Sequence, residues 1–166
     1  MQLTGKQIVK ENIITNYAEN AVQQQGVDVR IASLSRVDGY GRVPKEGKTM
    51  LGTRVDIKPI MKDGAEMFVL TPGYYEVVLM ESCKIPNNCV LNYKTRSSLV
   101  RCGATVYSGQ YDAGFETDAM GCFLEVRIPI RIEVGARIAQ VVVNESYPVS
   151  NDDLYDGQWQ HDKQRS

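Results

Sequence analysis

Apolar and polar residues alternate in short runs along most of the chain, a period of two that belongs to strands with one buried face. Segments rich in β-branched and aromatic residues at 27–31, 54–57, 67–70 and 74–80 predict strands. Asp38-Gly39, Lys62-Asp63-Gly64, Pro72-Gly73, Pro86-Asn87-Asn88 and Gly135 fall between such runs, and each can supply a turn conformation. Apolar and charged residues also alternate through Phe123-Leu-Glu-Val-Arg-Ile-Pro-Ile-Arg-Ile-Glu-Val134, which predicts a half-buried hairpin with Pro129 at its bend or on an edge. Helix signals are few. Thr4 before Gly5-Lys6-Gln7-Ile8-Val9-Lys10-Glu11 predicts a short helix with Thr4 as N-cap and Gln7 closing a capping box. A weaker helical stretch covers 13–21. The pattern predicts one all-β domain over 1–166, a sandwich or barrel with a short N-terminal helix. No internal repeat or low-complexity block interrupts it, and the polar 151–166 segment is expected to be a mobile tail.

Composition narrows the partners. At 166 residues the chain can bury roughly 70% of the surface that its unfolded form exposes, so one core suffices. No apolar run is long enough to cross a membrane and no basic-then-apolar leader opens the chain, which predicts a soluble, cytoplasmic protein. A net charge of −1 gives no field for duplex nucleic acid, so a phosphate ligand has to be held by a few local cations. Cys83, Cys89, Cys102 and Cys122 form no C-x-x-C pair, and the single histidine, His161, lies in the tail. Zinc-dependent base deamination is thereby disfavoured, because its H-x-E and P-C-x-x-C motifs are missing. Gly41-Arg-Val-Pro-Lys-Glu-Gly-Lys-Thr49 has five residues between its glycines where a P-loop needs four, and reads as an exposed basic hairpin. With no G-x-S-x-G elbow and no histidine in the body of the chain, a Ser-His-Asp triad cannot be assembled.

Four stretches carry candidate chemistry. Lys94-Thr-Arg-Ser-Ser-Leu-Val-Arg101 gathers two arginines and two hydroxyls at the expected end of a strand, and guanidinium forks and serine hydroxyls are donors suited to polyphosphate. Gly109-Gln-Tyr-Asp-Ala-Gly-Phe115 sets a carboxylate, Asp112, between glycines and aromatic residues, a way to hold a water beside a substrate. Gly135-Ala-Arg-Ile-Ala-Gln140 places a cation and an amide at the start of an apolar strand. Tyr155-Asp-Gly-Gln-Trp-Gln160 surrounds one flexible glycine with aromatic faces.

Taken in order, together with Leu3-Thr-Gly-Lys-Gln-Ile8, Gly26-Val-Asp-Val-Arg30 and Pro72-Gly-Tyr-Tyr-Glu-Val77, these stretches resemble the dUTP diphosphatase and dCTP deaminase superfamily over nearly the whole chain. The opening and the Tyr155 tail are closer to its deaminase-like branch, which includes archaeal-type and viral-type dUTP diphosphatases. The resemblance implies a distorted β-barrel or jelly roll that assembles as a homotrimer with active sites between subunits. It implies that Arg96, Ser97, Ser98 and Arg101 cradle the phosphates and that Gln140 meets the ligand or its metal-bound waters. Residues 155–160, Tyr155 and Gln160 among them, would close over the site, and Phe115 would pack against the deoxyribose. Asp28 matches the first acidic motif and would be structural or near the metal. Gln158 stands where the deaminase-like tail usually has lysine, which removes a phosphate contact.

By the same resemblance Asp112 positions the water that hydrolyses dUTP to dUMP and pyrophosphate. A triphosphate carries about four negative charges, so attack at the α-phosphorus calls for Mg²⁺, held mainly through the phosphates, and for arginine. Deaminase members use a later glutamate, for which Glu125 is the candidate. It lies thirteen residues past Asp112, a longer gap than deaminases show, with Glu116-Thr-Asp-Ala-Met120 enlarging the loop. Alternating with Leu124 and Val126, Glu125 also reads as an ordinary outward-facing strand carboxylate. The leading expectation is a dUTP diphosphatase. The alternatives are a zinc-independent dCTP deaminase, including one that also hydrolyses the dUTP it makes, and a non-catalytic regulatory protein on the same fold.

Overall fold

In the computed structural model, residues 1–157, 159 and 160 are described. The chain opens with α1 (Gly5–Lys10) and runs through β1 (Ile14–Thr15), β2 (Val22–Gln23), β3 (Gly26–Asp38), β4 (Thr53–Ile57), β5 (Ile60–Lys62) and β6 (Ala65–Leu70). It continues with β7 (Gly73–Leu79), β8 (Ser82–Lys84), β9 (Cys89–Thr95) and the single-turn α2 (Ser97–Arg101). The remaining strands are β10 (Ala104–Tyr107), β11 (Glu116–Thr117), β12 (Gly121–Val126), β13 (Ile130–Glu133) and β14 (Arg137–Glu145). The expected capping box forms: the Gln7 N–H donates to Thr4 Oγ1 at 3.3 Å and the Thr4 N–H donates to Gln7 Oε1 at 2.9 Å. It satisfies two of the donors that a helix start leaves unpaired.

The main sheet runs β10-β12-β7-β3-β14-β9, with β2 and β4 also paired to β3. Its spine is β3, whose first half faces β14 and whose second half faces β7 and β4, with a register shift between Ile31 and Ser33. Such an irregularity bends a strand and tightens its twist, so the sheet curls until its two ends meet. There the Thr95 side chain takes the place of a strand rung: Thr95 Oγ1 accepts from the Val106 N–H at 3.0 Å and donates to the Val106 carbonyl at 3.2 Å. The result is a nearly closed, distorted β-barrel, as expected. One apolar cluster fills it, with Ile31, Val77, Leu91, Leu124 and Val141 fully enclosed. At about 1.5–3 kcal/mol for each such side chain, burial outweighs any local propensity in holding the barrel.

Two expectations fail. Residues 13–21 hold β1 and a 3₁₀ turn (Glu19–Ala21) rather than a helix. Asn12 and Asn16 adopt positive φ of 55° and 60°, which a helix cannot accommodate, while Ile13 and Ile14 are both buried. Residues 123–134 form two strands that do not pair with each other. β12 lies between β10 and β7, whereas β13 joins β6 in a separate three-stranded sheet with β5. Alternation identifies a buried face but not a strand's partner, and Pro129 sits at the bend where the chain leaves one sheet for the other. The 41–49 stretch is the exposed hairpin expected, closed by Arg42 and Met50 backbone bonds of 2.8 and 2.9 Å. Among the described residues no helix is long and apolar enough to cross a membrane.

Candidate active site

Two clefts collect the candidate residues, and within one chain no residue lines both. The first opens where β9 runs into α2, beside β14 and β3, and is lined by Asp28, Lys94, Arg96, Ser97 and Gln140 together with Gln23 and Thr95. Antiparallel register sets Gln140 opposite both Asp28 and Lys94, so three neighbouring strands deliver these side chains to one place. Asp28 is 2% exposed. Its Oδ2 lies 3.5 Å from Arg96 Nε and accepts from Arg137 Nη1 at 3.3 Å, and its Oδ1 accepts from Gln140 Nε2 at 3.4 Å. Arg96 Nη1 also donates to the Arg137 carbonyl at 3.4 Å. A buried carboxylate thus fixes two guanidiniums and an amide at the cleft, leaving net positive charge where a phosphate chain could lie. Ser98 and Arg101 are exposed on α2 and do not line this cleft.

The second cleft, of about 400 Å³, opens where the β10–β12 ladder ends at Tyr107 opposite Phe123. Asp112 stands at its exposed lip, and Asp112 Oδ1 accepts a hydrogen bond from Gln110 Nε2 at 2.8 Å. Phe115, 7% exposed, packs between the Tyr111 ring at 4.5 Å and the Tyr155 ring at 5.4 Å. The tail docks on this loop. The Tyr155 N–H donates to the Ala113 carbonyl at 2.9 Å, and the Gln160 amide spans the loop backbone, donating to the Gly114 carbonyl at 2.9 Å and accepting from the Glu116 N–H at 3.1 Å. Gly114 has φ of 86°, and a Cβ there would meet Leu154 at 2.8 Å, so only glycine permits this close approach. Gln158 and residues 161–166, on which part of the tail expectation rests, lie outside the described residues.

Glu125 lies in neither of these clefts. Its Oε2 accepts from the Tyr107 hydroxyl at 2.9 Å and from Arg127 Nη2 at 3.3 Å. Hydrogen bonds from Arg127 and then Tyr107 hold its carboxyl below the ordinary glutamate range, so it is ionised at neutral pH.

A family model described as dCTP deaminase-like matches residues 2–146. The chain belongs to the dCTP deaminase-like family. Relatives of this dCTP deaminase-like protein include a deoxyuridine 5'-triphosphate nucleotidohydrolase of Methanocaldococcus jannaschii, 34% identical over 148 residues that cover 89% of this chain and 92% of that one. A probable deoxyuridine 5'-triphosphate nucleotidohydrolase of Halobacterium salinarum is 32% identical over 148 residues, 88% of this chain and 87% of the relative. One from Aeropyrum pernix is 30% identical over 164 residues, 96% and 98% of the two chains. Among solved structures, the 2'-deoxycytidine 5'-triphosphate deaminase from Agrobacterium tumefaciens matches with a TM-score of 0.64 at 20% identity, over 86% of this chain and 48% of that chain, and it shares the fold.

The dCTP deaminase-like fold therefore brings Asp112, Phe115 and Tyr155 to one cleft and Asp28, Arg96, Ser97 and Gln140 to another, with Gln160 latched onto the Asp112 loop. Several lining residues escaped the sequence reading. Gln110 had a visible signal, since it stands two residues from Asp112 in the same loop. Arg54 and Glu76 did not: β4 and β7 flank β3 and set this pair 2.6 Å apart on one face of the sheet, a contact that only the topology creates. Among the described residues no group of three or more His, Cys, Asp or Glu side chains is placed to hold a metal ion. Both oxygens of Asp28 are engaged, so the donor set fits a Mg²⁺ ion that arrives on a triphosphate rather than one caged by the protein.

Proposed function

We propose that this protein is a cytoplasmic dUTP diphosphatase, converting dUTP and water to dUMP and pyrophosphate. The observation that carries the reading is Asp112 at the lip of a nucleoside-sized aromatic cleft, its carboxylate oriented by Gln110, on a chain whose curated relatives are named for dUTP hydrolysis. Uracil enters the cleft and the deoxyribose rests on Phe115, where a 2′-hydroxyl has no room. The triphosphate extends to Arg96, Ser97 and Gln140. These lie in the other cleft, so a homotrimer that sets the phosphate cleft of one chain against the Asp112 cleft of its neighbour completes the site. Asp112 holds a water in line with the α-phosphorus and accepts its proton as oxygen bonds to phosphorus. The bond from the α-phosphorus to the bridging oxygen breaks, and pyrophosphate departs. Arginine neutralises the charge that develops. Bound Mg²⁺ supplies further charge neutralisation on the phosphates. Gln140 would meet its waters, and Asp28 serves as the anchor of Arg96 and Gln140 rather than as a ligand.

Incubating the protein with dUTP, dCTP, UTP and dTTP in the presence of Mg²⁺, and following both pyrophosphate and ammonia, tests the reading. Pyrophosphate from dUTP alone is expected. Ammonia from dCTP would transfer the assignment to a deaminase, the reading favoured by the dCTP deaminase-like family description and the structural match. Within one chain Glu125 lies outside both clefts, which supports the hydrolase reading. Glu125→Gln should leave dUTP turnover within about twofold of the parent and release no ammonia, because surface carboxylates away from a site contribute little. A large fall in dUTP turnover, measured by pyrophosphate release, would return Glu125 to the catalytic machinery.

A further inference from the structure

Beyond Tyr107 opposite Phe123 the β10–β12 ladder stops, and the chain through Ser108, Gly109 and Gln110 swings away from β12. It returns at Tyr111, whose backbone pairs with Leu91 of β9 by two bonds of 3.0 Å rather than with β12. The gap so opened is the cleft that Asp112 borders. Its far end is closed by a side chain. The Tyr111 hydroxyl donates to the Gly121 carbonyl at 2.7 Å and accepts from the Gly121 N–H at 2.9 Å, while the Tyr93 hydroxyl donates to it at 3.1 Å. One donor and two acceptor sites exhaust what a phenol offers. Burial pushes the Tyr111 hydroxyl up to about 12, so it stays protonated and keeps both functions across the working range.

A pyrimidine is recognised by the donor and acceptor pattern along one edge, and a backbone N–H beside a carbonyl can satisfy either uracil or cytosine, depending on register. Free Gly121 groups at the end of the gap would therefore be an ambiguous reader. We infer that Tyr111 is a specificity-determining residue, whose hydroxyl acts as a side-chain rung that withholds the Gly121 peptide groups from the base and fixes how far a pyrimidine enters the cleft. The inference rests on the reading of this cleft as the pyrimidine pocket. Tyr111 touches no reacting atom and acts by positioning.

Tyr111→Phe removes the rung and leaves the ring packed on Phe115. Tyr93→Phe removes a hydroxyl from the same cluster but leaves the Gly121 contacts in place, and so controls for lost stability. Pyrophosphate release from dUTP and from dCTP is measured for the parent and both variants, with melting temperatures alongside. Tyr111→Phe should lower the ratio of kcat/KM for dUTP over dCTP by about tenfold or more, chiefly through KM, because a buried pair left open discriminates poorly. Tyr93→Phe should also melt lower, by less because only one of the three bonds is lost, yet keep the parent ratio. An unchanged ratio in Tyr111→Phe, or an equal fall in both variants, overturns the inference. If Tyr111→Phe does not fold, hydrogen exchange at Gly121 in the parent decides: protection with and without a non-hydrolysable dUTP analogue supports the rung, and protection only with the analogue overturns it. Asp112→Asn is run in parallel. Its retention of turnover would defeat the functional reading, whereas its inactivation beside an unaltered Tyr111→Phe would defeat the rung alone.

Discussion

Asp112→Asn lowers dUTP turnover by about 10²–10⁴-fold, the range that one positioned proton acceptor contributes, and leaves nucleotide affinity near that of the parent. The substitution isolates chemistry because the amide oxygen can still accept from Gln110 Nε2 where Asp112 Oδ1 does now, so the side chain keeps its orientation. It loses the negative charge that takes a proton from water. Loop shape should survive, since it is set elsewhere: by the Leu91 bridge, by the Tyr155 N–H on the Ala113 carbonyl and by the Gln160 amide on Gly114 and Glu116. Steady-state kcat from pyrophosphate release, with calorimetric binding of a non-hydrolysable dUTP analogue, separates the two quantities. Turnover within about threefold of the parent would show that no acid–base role of this size belongs to the residue. A parallel loss of binding would mean instead that the carboxylate holds the loop together.

The strands that build the site were readable because each buries one face: 27–31, 54–57 and 67–70 lie within observed strands, and 74–80 overruns β7 by one residue. Their partners were not readable. The run 123–134 alternates as a hairpin would, yet its halves belong to different sheets, because period two reports exposure and carries no information about which edge a strand meets. Chemistry followed the same division. Asp112, Arg96 and Gln140 stood out as polar groups beside glycines or at strand ends, where a fold tends to place function. Thr95 and Tyr111, which close the barrel seam and one end of the cleft, are ordinary strand and loop residues until the barrel brings β9 beside β10 and the loop against Gly121. Asp28 shows both limits. Its place in an acidic motif was visible, but its engagement with two arginines more than sixty positions further along appears only when β3 lies beside β14.

That engagement makes Asp28→Asn the substitution with the widest consequences. Removing one member of a fully buried ion pair costs about 3–5 kcal/mol because the remaining charge is left without compensation. Here Arg96 and Arg137 each keep 31% side-chain exposure, so water screens part of the loss and about 2–3 kcal/mol is expected. For a chain of this size such a loss lowers the melting temperature by about 4–12 °C. Function should fall further than stability. With the anchor neutral, the two guanidiniums repel each other and Gln140 keeps only a weakened contact, so the groups that fix the phosphate chain lose their geometry. Most of the damage should appear as a rise in the KM for dUTP of about 10²-fold with a smaller change in kcat, because these contacts are present in both the bound and the transition state. Arg137→Met alone removes the second cation without unseating Arg96. Adding it to Asp28→Asn should recover part of the lost melting temperature while leaving KM high. If the double variant were instead destabilised by the sum of the two single losses, Asp28 and Arg137 would be energetically independent, and the anchoring role would fall on Arg96 and Gln140 alone.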